Sequence, residues 1–118
     1  MLIDSEAEFV RRLLVAFPEL DDLYETHVFN NDGLLAHVFF WDVTQEVVQG
    51  FLGKESDVPS WRRFLSFLEE AYPGADTPVK NLIGTSFLYN LPWPGQEGAE
   101  IADALGPVLS EVYTRVRA

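Results

Sequence analysis

The chain has no cysteine and only two histidines, His27 and His37. The first absence removes disulfides, thiolate catalysis, Cys-zinc sites and iron–sulfur ligation, and it suits a reducing compartment. The second leaves little for a metal site, since neither histidine belongs to HExxH or to the Glu-x-x-His pair of di-iron bundles. Each lies among apolar neighbours, where a ring bonded to backbone is expected. Bases are scarce too: eight Lys and Arg against nineteen Asp and Glu give a net charge of −11. That field repels nucleic acid and anionic membrane surfaces. Arg11-Arg12 and Arg62-Arg63 are isolated pairs without interleaved aromatics. No run approaches the ~18 apolar residues of a membrane span, and the densest, Leu34 to Trp41, is interrupted by His37. The start, MLIDSEAEF, shows no basic segment leading into an apolar one, so no secretory leader is expected. The expectation is a soluble cytoplasmic protein that binds neither nucleic acid nor membrane and carries no cofactor.

What is present is apolar material. Hydrophobic residues make up 47% and aromatics 14% of 118 residues, enough for one folded domain over 1–118. A chain this long buries about two-thirds of its unfolded surface, so it needs no staples. No internal repeat, low-complexity tract or shift in composition marks a second domain.

Helical spacing dominates the pattern. Ser5-x-x-Glu8 fits a capping box, followed by a stripe of Val10, Leu13, Leu14 and Phe17 that Pro18 ends. Pro18 also suits the first turn of the next helix, where Glu19, Asp21 and Asp22 face the positive dipole end and Leu20, Leu23, Tyr24 and Val28 face inward. Asn30-Asn31-Asp32-Gly33 is a turn, with Asp32 placed to cap a very apolar helix from Leu34 to Leu52. A competing reading keeps β-branched and aromatic runs at 26–29 and 38–43 as a hairpin about that turn, making an α+β fold. Asp57 is expected to cap a helix carrying Trp61, Phe64, Leu65, Leu68 and Tyr72, stopped by Pro73-Gly74.

Asp76 or Thr77 then starts VKNLIGTSFLYNLPWP, Val79 to Pro94. There Val79, Leu82, Ile83 and Phe87 form a core face, and Asn81, Thr85, Ser86 and Asn90 read as struts between helices. Gly84 marks a close neighbour. Ile101, Ala104, Leu105, Val108, Leu109, Val112 and Val116 give a last helix that Gly106-Pro107 should kink or divide, with Arg115 and Arg117 at its negative end. The fold class is therefore all-α, a compact bundle of five or six helices.

The motifs of chemistry are thin. Asn30-x-Asp32-Gly33 echoes part of a calcium loop, but Val28 and Phe39 stand where oxygen ligands belong. Gly84-Thr85-Ser86 lacks the strand and G-x-S-x-G elbow of a nucleophile. Asp21 or Asp22 with Glu25 share a helix face among polar residues, which suits a solvated surface better than acid–base work. No GxGxxG or P-loop pattern occurs. An enzyme would need a pocket uniting Tyr89, Asn81, Thr85 and Asp42.

Several segments together are familiar: PEL at Pro18–Leu20, NDGLLAHVFFWDVT at Asn31–Thr44, NLIGTSFLYNLP at Asn81–Pro92 and LGP at Leu105–Pro107. The chain resembles, from residue 18 to 107, a family of small uncharacterised bacterial proteins. The resemblance implies an all-helical fold and a bacterial cytoplasmic setting, and it carries over no catalytic residue. Tyr89 stands where a glutamate is common in that family, and Trp41 where a small residue is common.

Recognition is the remaining class. Residues 1–57 hold twelve acids and three bases, net −9, while residues 58–118 hold seven acids and five bases, net −2. The expected function is a small acidic protein-binding module, of immunity or antitoxin type, that masks a basic partner. Glu19, Asp21, Asp22, Glu25 and Asp32 would steer that partner, and Tyr24 or another aromatic would anchor it. Trp93, between two prolines, is a further anchor candidate. The competing readings are a self-associating structural bundle and, third, an enzyme.

Overall fold

Asp4, one residue earlier than the capping box places it, starts the first helix. In the computed structural model, which describes residues 4–118, its Oδ1 accepts from the Ala7 N–H at 3.1 Å. Ser5 is already helical. Asp is as good an N-cap as Ser and adds a charge that the dipole favours. Of the MLIDSEAEF start, from which no secretory leader was expected, residues 1–3 lie outside the described residues.

Six α-helices follow in order: α1 (Ser5–Ala16), α2 (Asp21–Asn31), α3 (Ala36–Phe51), α4 (Trp61–Ala71), α5 (Thr77–Asn81) and α6 (Pro107–Val116). Short 3-10 turns at Pro18–Leu20, Tyr72–Gly74 and Ala99–Ala104 join them, and α5 continues as a π-helix over Leu82–Leu88. Counting that segment, the bundle has one helix more than expected. Among the described residues there is no strand, which removes the hairpin, and no helix is long and apolar enough to cross a membrane.

The hairpin fails because Asp32 does a different job. It is left-handed (φ 53) and ends α2, with its own N–H and that of Gly33 both donating to the Val28 carbonyl. It therefore does not cap α3. That task falls to His27, whose Nε2 accepts the Leu35 N–H at 3.0 Å. Asp57 likewise caps nothing. Ser60 holds the position before α4, and the Asp57 N–H donates to Glu46 Oε1 at 2.8 Å, tying the loop to α3. Beside it Val58 is fully buried, and a methyl group on Gly50 would overlap the Val58 carbonyl oxygen.

The core runs through Phe17, Phe64 and Phe87, with ring centroids 5.3 and 5.5 Å apart. Around them lie Leu13 of α1, Phe39, Phe40, Val43 and Val47 of α3, Leu68 of α4, and Leu109 and Val112 of α6. α3 turns Phe39, Phe40, Val43, Val47 and Val48 to the core, while Val38 and Trp41 on the helix and Leu35 just before it are exposed.

The segment from Val79 onward packs most extensively on α3. Val79, Leu82, Ile83 and Phe87 are buried as expected, and so are Leu88 and Leu91. The widened turn, seen where the Tyr89 N–H donates to the Gly84 carbonyl at 2.9 Å, is a π feature that α-helical spacing does not foretell. Gly84 faces Val116 and Val112, but a methyl there would sit at ordinary contact distance, 3.5 and 3.7 Å. A far tighter approach, to backbone, occurs at Gly50. Beyond Leu91 the chain loops to Gly98 (φ 90), then divides at Gly106-Pro107 as expected.

Candidate functional site

The outer face of α2 is built from one helical stripe. Asp21 and Asp22 stand in its first turn, Glu25 follows at i+4 or i+3, and Phe29 comes one turn later, the spacing that stacks side chains along one face. Asp21, Asp22, Glu25 and Asp32 are exposed, and among the described residues none of them pairs with a base. Phe29 is 87% exposed. Its ring is left almost wholly open to solvent.

Two expected members of this face play other parts. Glu19 reaches Arg63 at 3.7 Å; that arginine lies 4.1 Å over the Phe17 ring and donates to the Ala16 carbonyl. Glu19 thus helps clamp the end of α1 to α4. Tyr24 turns inward, edge-on to Phe39 at 5.5 Å and partly buried. The exposed ring on this face is Phe29, not Tyr24. Its signal was available, because it falls four residues after Glu25 on the polar stripe, away from Leu20, Leu23, Tyr24 and His27.

Trp93 is 41% exposed, but it is not free. The Arg117 guanidinium lies 4.0 Å above its ring, Tyr89 meets it edge-on at 5.7 Å, and the Trp93 backbone N–H donates to Gln96 Oε1. Arg117 also donates to the carbonyls of Tyr89, Leu91 and Pro92. Standing at the C-terminal end of α6, it ties that end to the stretch that follows the π-helix. None of these contacts joins Trp93 to α2.

One constellation has the order of a catalytic triad. Ser86 Oγ lies 2.5 Å from His37 Nδ1, and His37 Nε2 lies 3.0 Å from a Glu6 oxygen. Geometry decides its role. Ser86 is buried inside the π-helix, its carbonyl already accepts from Thr44 and Asn90, and the neighbouring N–H groups are engaged in helical bonds, so no oxyanion donors converge on its hydroxyl. Three surface clefts are lined by other residues. The chain Glu6–His37–Ser86 fastens α1, α3 and the π-helix together.

Asn81, Thr85, Tyr89 and Asp42, the residues named for an enzyme, line none of these three clefts. Asn81 and Thr85 are exposed, with the Thr85 hydroxyl donating back to the Asn81 carbonyl at 2.6 Å; Tyr89 belongs to the Trp93 knot, and Asp42 lies on α3. Of the four polar residues read as struts, Ser86 alone bridges helices through both its side chain and its carbonyl. Among the described residues no three His, Asp or Glu side chains gather at metal-ligand spacing. His27 faces Phe39 and the backbone, as a core histidine does.

A family model described as "Domain of unknown function (DUF7674)" matches residues 10–118. The chain belongs to that family, which is uncharacterised as the resemblance implied. No curated protein and no solved structure matches it.

Proposed function

We propose that this member of the family is a small acidic protein-binding module, of bacterial immunity or antitoxin type and cytoplasmic, whose α2 face masks a basic partner. One observation carries the reading: an aromatic ring 87% exposed on the same stripe as three unpaired carboxylates. Val15, 81% exposed on α1, has Arg11 and Arg12 for neighbours instead and lacks that company. Charge on a rim accelerates encounter, while a desolvated aromatic supplies the lasting contact. Asp21, Asp22, Glu25 and Asp32 would take the first role and Phe29 the second.

The test is a photo-crosslinking residue placed at position 29 in cells of the native host. A basic protein captured there, whose binding falls at least tenfold with Phe29→Ala, supports the reading. A partner held through other faces, or one without a basic surface, contradicts it.

A further inference from the structure

We propose a second binding site, for a neutral saccharide, in the cleft between α3 and the loop that follows Leu91. The cleft measures about 460 Å³ and is walled on one side by Trp41, 48% exposed. Its polar lining is nearly all carboxamide: Gln45 and Gln49, one turn apart on α3, with Asn90 and Gln96 opposite. The last two are held in place. Asn90 Nδ2 donates to the Ser86 carbonyl at 3.1 Å, leaving its oxygen free, and Gln96 Oε1 accepts from Trp93, leaving its NH₂ free. The loop can lie this close because residue 98 is glycine: a methyl there would stand 3.1 Å from Val48.

Charge selects the ligand class. The rim's carboxylate, Glu97, is engaged by Lys54 at 2.6 Å, so nothing in the cleft calls for a cation. A net charge of −11 disfavours phosphates and other anions. An apolar ligand would want an enclosed apolar pocket, and this cleft is open and amide-lined. A sugar ring offers one apolar C–H face for the indole and an edge of hydroxyls that donate and accept. Carboxamides answer both roles, and two fixed ones lower the ordering cost of binding.

The experiment is a side-chain NMR titration of the full chain with maltose, cellobiose and N,N′-diacetylchitobiose, each into the millimolar range. At least one should give saturable shifts in the Trp41 indole N–H and the four carboxamides, with α2 unmoved. Trp41→Ala should abolish them. Gln45→Ala and Gln49→Ala, both on the surface side of α3, should each weaken binding about five- to tenfold. Silence with all three sugars overturns the proposal, and so do shifts that persist in Trp41→Ala or ignore both glutamine variants. Either failure leaves the α2 face untouched.

Discussion

A methyl group on Gly106 would stand 2.6 Å from the Glu69 carboxyl carbon. The glycine leaves room for that carboxylate to accept the N–H groups of Val108 and Leu109 at 2.8 and 2.9 Å, and so to cap α6 from across the bundle. Glu69→Ala should cost about 2 kcal/mol, the upper range of a helix cap. Gly106→Ala should cost a similar amount by displacing the carboxylate. The double variant should then cost little more than either single one, a coupling visible in denaturant unfolding. Strict additivity would mean that the two residues do not share one interaction.

Glycines 50 and 84 should respond in opposite directions. Gly50→Ala puts a methyl into the Val58 carbonyl, and backbone on both sides resists movement, so a loss of about 3 kcal/mol is expected. Gly84→Ala meets Val116 at 3.5 Å and should be neutral or stabilising by up to about 1 kcal/mol, because alanine favours the helix. Thermal unfolding of the two variants checks both signs.

What the sequence made legible was local. Pro18 ends α1, Asp76 caps α5 through the Val79 N–H, Gly106-Pro107 divides the last helix, and Val79, Leu82, Ile83 and Phe87 face the core, all from residues a few places apart. The misses depend on distance or on competition between equal candidates. Asp4 and Ser5 are interchangeable caps, and the structure uses the first. Glu69 meets Val108 across 39 residues, and His27 replaces Asp32 at α3 because Asp32 is spent on ending α2. The π-helix keeps helical periodicity on either side, so its extra residue leaves little trace in the spacing. In the candidate site the acids were legible; the exchange of Tyr24 for Phe29 as the exposed ring follows from how α2 rotates onto Phe39.

Arg117 should control the Trp93 loop. Arg117→Ala removes the stacked cation and three carbonyl contacts, and about 2 kcal/mol of stability with them. Trp93 should become more accessible to acrylamide quenching. Arg117→Lys should rescue little, since an ammonium cannot reproduce a planar fork reaching several oxygens. Full rescue by lysine would reduce the contact to charge alone.

Ser86 should prove inert as a nucleophile. A fluorophosphonate should leave it unlabelled, and Ser86→Ala should lower stability by about 1 kcal/mol, the worth of one hydrogen bond. Labelling at Ser86 that His37→Ala abolishes would show an activated hydroxyl and overturn its role as a fastener.

The central claim concerns the α2 face, and association kinetics test it most directly. With the partner captured at position 29, stopped-flow rates should be measured for the native chain and for Asp21→Lys, Asp22→Lys and Glu25→Lys combined, across a range of salt concentrations. The account predicts at least a tenfold slower association for the variant at low salt and a much flatter salt dependence. Phe29→Ala should act mainly on dissociation. Association that is equally fast and equally salt-sensitive in the charge-reversed chain would contradict it.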